Sequence, residues 1–131
     1  MSVRRVLLAS LAALLLAGCG ASAASVPLLT ATEPDPNPPG ACYLWYGQGE
    51  LIEDATHGTA IREPSGNIRA LKWPMGYSAR RSGGTIEVLD TTGNVAAMTG
   101  RKYQFFTSAW GPDPVYSGGP GCAREIDSFI E

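Results

Sequence analysis

Few side chains in this sequence are equipped to break bonds. There is one histidine, His57, and there are three cysteines, Cys19, Cys42 and Cys122. A hydrolase needs a nucleophile activated by a neighbouring base. His57 lies in Ala55-Thr56-His57-Gly58, which reads as an exposed turn, and the chain has no Gly-x-Ser-x-Gly elbow. Glu50, Glu53 and Asp54 cluster without the spacing of a calcium loop and read as a solvated face. A lone histidine and the lack of any Cys-x-x-Cys pair leave no metal-ligand pattern. Phosphate-cradling loops are absent too, and Gly83-Gly84 reads as a turn. No catalytic residue, metal or cofactor is expected.

Binding chemistry is better represented. Arg80-Arg81 and Arg101-Lys102 flank a segment that reads as a β-hairpin. If that hairpin pairs, the four cations lie near each other at one end of the domain. Trp73, Tyr77 and Tyr103 are close in sequence. Together these seven residues would form a surface that stacks on sugar rings or holds anionic groups. Such a surface suits an envelope polymer or a protein partner. The competing reading is solubilising charge beside ordinary core aromatics. A small enzyme acting on envelope material and a structural assembly factor are the other functional alternatives.

The elements that would carry these residues are short strands. Residues 41–131 show no sustained i, i+3, i+4 apolar spacing. Segments rich in β-branched and aromatic residues alternate with Gly and Pro, the pattern of an all-β domain. Expected strands cover Tyr43–Tyr46, which Gly47-Gln48-Gly49 should break, then Glu50–Asp54, Thr59–Arg62 and Ile68–Trp73. The pattern in Ile68–Trp73 places Leu71 and Trp73 on one face. Thr85–Asp90 and Val95–Thr99 flank the turn residues Thr91-Thr92-Gly93-Asn94 and form the clearest hairpin. Tyr103–Ser108 follows, with Tyr103 and Phe105 facing one way. Gly111–Gly121 reads as a loop, and Ala123–Ile130 as a closing strand or short helix. About six short strands in roughly 90 residues predict a small OB-like barrel or sandwich.

The N-terminal residues read as an address. Arg4 and Arg5 precede an apolar run of 12 residues, Val6 to Ala17. A membrane span needs about 20 such residues, so this length suits the core of a signal peptide. The run ends in Leu16-Ala17-Gly18-Cys19, which resembles the lipobox of bacterial lipoproteins. The resemblance implies cleavage before Cys19 and a diacylglycerol thioether on its sulfur. The membrane is then a partner, and the domain sits on the exported side of a cell membrane or outer membrane. Gly20 is not the Asp that retains lipoproteins at an inner membrane. Ala21-Ser22-Ala23 fits an ordinary cleavage site as well, which would discard Cys19. An unmodified thiol behind an uncleaved anchor is a third possibility.

A second resemblance covers Leu71-Lys72-Trp73-Pro74-Met75-Gly76-Tyr77 through Arg81, Gly83 to Asp90, and Gly93 to Ala97. This stretch is similar to a segment of small uncharacterised bacterial lipoproteins, where a Trp-Pro-x-Gly turn leads into a hairpin. It implies an OB-like β-domain and carries no activity.

With Cys19 given to lipid, Cys42 and Cys122 remain as an even pair in an exported protein, and a disulfide between them is expected. Residues 1–18 are then the signal peptide, 19–40 the lipidated cysteine and a flexible tether, and 41–131 the β-rich domain. The tether includes four prolines in the eight residues Glu33–Gly40, which favour extended chain. The chain has 10 basic and 12 acidic residues, and without Arg4 and Arg5 only eight basic ones remain. That balance argues against nucleic-acid binding, which depends on phosphate neutralisation.

Overall fold

The apolar–polar alternation is realised as strands along the chain. A computed structural model describes residues 24–44, 46–107 and 113–131. The expected signal peptide and Cys19 lie outside the described residues, as do Trp45 in the first expected strand, Ser108 at the end of another, and Gly111 and Pro112 at the start of the expected loop. Among the described residues there is no helix, and ten strands make two sheets. They are β1 (Ala24–Val26), β2 (Tyr46–Asp54), β3 (Gly58–Arg62), β4 (Ile68–Lys72), β5 (Ser78–Ser82), β6 (Thr85–Leu89), β7 (Val95–Met98), β8 (Lys102–Phe106), β9 (Val115–Tyr116) and β10 (Ala123–Ile126). The protein is all-β, of the small barrel or sandwich class; residues 41–131 hold nine of the described strands rather than about six, and β1 precedes them.

One sheet has the order β1-β5-β6-β7, antiparallel throughout. The other has the order β10-β8-β2-β3-β4-β9, with only the β4–β9 pair parallel. The expected hairpin is β6–β7, with Val88 opposite Ala97 and Glu87 opposite Met98. Its turn is closed by the Asp90 N–H on the Asn94 carbonyl at 2.9 Å. Period-two alternation turns Ile86 and Val88 inward on β6 and Tyr103 and Phe105 inward on β8. On β4, Leu71 is buried, while Ile68 on the other face is 57% exposed.

Gly47-Gln48-Gly49 does not break the chain as expected. β2 runs through it for nine residues. A Cβ on Gly49 would stand 2.9 Å from the Arg62 carbonyl oxygen and closer still to the Ile61 side chain. The missing side chain here permits close approach to β3 rather than ending the strand.

A single apolar cluster joins the sheets. Leu51, Ile61, Leu71, Tyr103, Phe105 and Val115 come from the six-stranded sheet, and Val88 and Ala97 from the other. Trp73, just past β4, completes it. Each large apolar side chain so buried contributes at most about 1.5–3 kcal/mol.

Residues 24–40 differ most from expectation. They are not a free tether but are bound to the domain. β1 pairs with β5, Ala24 opposite Arg81 and Val26 opposite Ala79. The chain then crosses to the other sheet. Leu29 N–H donates to the His57 carbonyl at 2.9 Å, Trp73 N–H donates to the Leu29 carbonyl at 3.0 Å, and Ala31 N–H donates to the Trp73 carbonyl at 2.8 Å. Leu28 packs on the core. Further on, Asp35 accepts a hydrogen bond from the Tyr116 hydroxyl at 2.7 Å, and Gly40 N–H reaches the Pro120 carbonyl at 3.1 Å. Proline excludes helix and central strand, but it does not prevent extended chain from docking through its non-proline neighbours. The apolar patch Val26-Pro27-Leu28-Leu29 supplies the reason to dock.

The expected disulfide is present. Cys42 is joined to Cys122 across 80 residues, with Cα atoms 5.5 Å apart. It fastens the end of the docked segment to the start of β10. In the chain-entropy view such a loop is worth at most about 4–5 kcal/mol.

Docking of the segment makes a demand on Gly58. Its φ is +87°, and a Cβ there would lie 2.1 Å from the Pro27 carbonyl oxygen. Gly58→Ala is therefore expected to cost about 1–3 kcal/mol, read as a lower midpoint in denaturant unfolding. An unchanged midpoint would show that Pro27 does not press on this turn.

Candidate functional site

Trp73 and Tyr77 are brought together at the end of β4. Pro74 stops the strand, and the following turn is closed by the Tyr77 N–H on the Pro74 carbonyl at 3.3 Å. That turn folds the Tyr77 ring over Trp73, with centroids 6.1 Å apart and planes 18° from parallel. Trp73 itself is only 1% exposed. Its indole N–H donates to the Thr59 hydroxyl at 2.9 Å, and its edge meets Phe105. Trp73 is thus a buried support, and Tyr77 is the half-buried ring that faces open space.

That space is a cavity of about 400 Å³, within the usual range of small-molecule sites. Tyr77 and Pro74 form one wall. Asp90 and Thr91, from the β6–β7 turn, form another. Residues 117–121 close the third. Among the lining side chains only Tyr77 and Asp90 are titratable.

Their electrostatics are fixed by the fold. Burial raises the Tyr77 pKa, and the negative charge of Asp90 adds to the effect. The phenol therefore remains a neutral hydrogen-bond donor. Asp90 is held below the usual carboxylate range, first by the Thr92 hydroxyl and then by backbone N–H groups of the turn. Its Oδ1 accepts from the Thr92 hydroxyl at 2.7 Å, Thr92 N–H at 2.9 Å and Asn94 N–H at 3.0 Å. This carboxylate is chiefly a turn former whose charge also reaches the cavity.

The four basic candidates do not converge on it. Arg80 pairs with Glu87 at 2.7 Å, across β5 and β6. Arg81 pairs with Glu53 on β2. Arg101 pairs with Glu125 on β10 at 3.1 Å. Lys102 lies over the Phe129 ring, 5.3 Å from its centre. Each arginine therefore meets its own carboxylate, and no concentrated positive field results. Tyr103 is 3% exposed, and its hydroxyl oxygen accepts a hydrogen bond from Met98 N–H at 2.9 Å. Of the seven residues, only Trp73 and Tyr77 share the cavity.

The acidic cluster is similarly divided. Glu50 faces Arg62, Glu53 faces Arg81, and Asp54 faces His57, whose Nδ1 is 2.7 Å from its Oδ2. Partial burial opposes ionisation of Asp54, but hydrogen bonds from the His57 ring and from Thr56 and His57 N–H outweigh it and lower its pKa. The pair is built into the β2–β3 turn. Among the described residues no three His, Cys, Asp or Glu side chains are placed to hold a metal.

A second, open hollow of about 300 Å³ lies between residues 31–36 and the side chains of Lys72 and Tyr116. Burial and the Asp35 carboxylate keep the Tyr116 phenol protonated. Residues 117–121, Asp90 and Asp35 have no functional role in the sequence reading. Their signals are those of turns and spacers, and only the fold gathers them around hollows.

No family model matches the chain, and no curated protein or solved structure matches it.

Asp90 yields a pH dependence of known sign. Because its folded pKa lies below the ordinary 3.8, its contribution is fully present above that value and fades as pH falls through the folded pKa. The Asp90→Asn variant should have a lower Tm than the parent at neutral pH. The gap should close in acid below the folded pKa. A gap independent of pH would show that the charge is not what the turn uses.

Proposed function

We propose that this protein is an exported, noncatalytic binding module anchored to a membrane through a lipid on Cys19. The lipobox-like Leu16-Ala17-Gly18-Cys19, placed directly after the apolar run, supports the anchor. The cavity beside Tyr77 supports the binding role, and it is the observation that carries the reading. Its polar groups are a neutral phenol, a carboxylate largely committed to its own turn, and threonine and backbone groups. Such a set offers hydrogen bonds and an aromatic face. It offers neither an activated nucleophile nor a general base.

The ligand class that fits is uncharged and polyhydroxylated, such as the saccharide units of an envelope polymer. A sugar ring would lie on Tyr77, with hydroxyls reaching Asp90 and the 117–121 backbone. The paired arginines make a strongly anionic ligand the poorer match.

Two measurements test this reading. The full-length protein made in a bacterium should enter the detergent phase on phase separation, and Cys19→Ala should move it to the aqueous phase. Equal partitioning of both would reject the anchor. The protein should also be retained by insoluble cell-wall glycan, and Tyr77→Ala should weaken retention by up to about tenfold, since an aromatic contact is worth ~0.5–1.5 kcal/mol. Undiminished retention of Tyr77→Ala would reject this cavity as the binding site.

A further inference from the structure

The docked N-terminal segment limits how far the lipid can lie from the β5–β6 end of the domain. Only four residues, Gly20 to Ala23, separate Cys19 from the first residue of β1. Even fully extended, that span keeps Ala24 within roughly 18 Å of Cys19. β1 starts opposite Arg81, at the end of β5, immediately before the β5–β6 turn. The chain therefore reaches the domain beside the hairpin tip formed by Ser82, Gly83, Gly84 and Thr85.

That tip is suited to lie against headgroups. It carries no charged or large side chain, and a Cβ added at Gly83 or Gly84 would meet no atom within 4 Å. The nearest charges are neutralised within the fold, Arg81 by Glu53 and Arg80 by Glu87. These neighbouring charges come in pairs of opposite sign, so they add no net basic patch to the lipid's hold.

The cavity lies at the opposite end of the same hairpin. Tyr77 precedes β5, and Asp90 follows β6. Five strand steps at ~3.3 Å each place these residues about 16 Å from the tip. We propose that the β5–β6 tip, Ser82 to Thr85, is the face this protein lays toward the lipid bilayer, so that the cavity beside Tyr77 opens away from the membrane. This orientation rests on acylation of Cys19. The partner surface is the headgroup layer, and the docked strand β1, rather than a flexible leash, sets the geometry.

The test uses the full-length mature protein in vesicles of phosphatidylethanolamine and phosphatidylglycerol that carry a headgroup-linked energy acceptor. A donor dye is attached to an unnatural amino acid at Gly84 or, in a second preparation, at Val95. Val95 is 46% exposed and sits at the cavity end of the hairpin. The expected result is lower donor emission at 84 than at 95. Inserting a long Gly/Ser linker after Gly20 should abolish that difference. Protein that floats with vesicles but shows equal emission at both positions overturns the orientation and leaves acylation standing. Protein that does not float, as cleavage after Ala23 would produce, overturns acylation and the orientation with it.

Discussion

Leu29 and Ala31 hold the backbone of Trp73 between them. The Trp73 N–H goes to the Leu29 carbonyl, and the Trp73 carbonyl takes the Ala31 N–H. Trp73 is almost fully buried, so neither group has ready access to water. A buried backbone group without a partner costs about 1–3 kcal/mol. Three residues upstream the same strap is β1, the edge strand of the other sheet. One extended stretch thus edges one sheet and bonds to the end of β4 in the other, and its Leu28 packs against the core between them. Trp73, fixed in this way, supports the Tyr77 ring, and the cavity wall follows from that stack.

Much of the body is written in local pattern. β6 and β7 alternate cleanly around a turn whose Asp and Gly are chemically suited to it, so the hairpin is legible without tertiary information. The same holds for the inward pairs Tyr103 with Phe105 and Leu71 with Trp73. The disulfide follows from parity once Cys19 is given another use. What local pattern does not carry is pairing made by neighbours. Ser78–Ser82 has a single buried side chain, Ala79, and two arginines. It is a strand because β1 and β6 flank it. β9 has only two residues and borrows its conformation from β4. Gly49 reads as a breaker in isolation and is a contact point in the fold. The docked segment is the least legible, because its prolines resemble those of a spacer while its apolar patch is only four residues long.

The site was legible in part for a related reason. Trp73 and Tyr77 are four apart across a proline turn, and their meeting is nearly local. Sequence proximity groups the arginines, whereas ion pairing is settled by strands far away, Glu53 on β2 and Glu125 on β10. A cationic surface dissolves into separate pairs once those strands are in place, and exposed pairs of this kind add little stability. The proposed binding site is correspondingly neutral and aromatic. Its placement at one end of the β5–β6 hairpin, with the chain's entry at the other, joins the binding and anchoring proposals in one geometry.

The central claim is that residues 27–31 are part of the folded body. Native-state hydrogen exchange of the disulfide-intact protein tests it most directly. The amides of Leu29, Ala31 and Trp73 should exchange as slowly as the core-strand amides of Ile61 and Val88. Exchange of Leu29 and Ala31 at the rate of an unstructured peptide, with Ile61 and Val88 still protected, would contradict it.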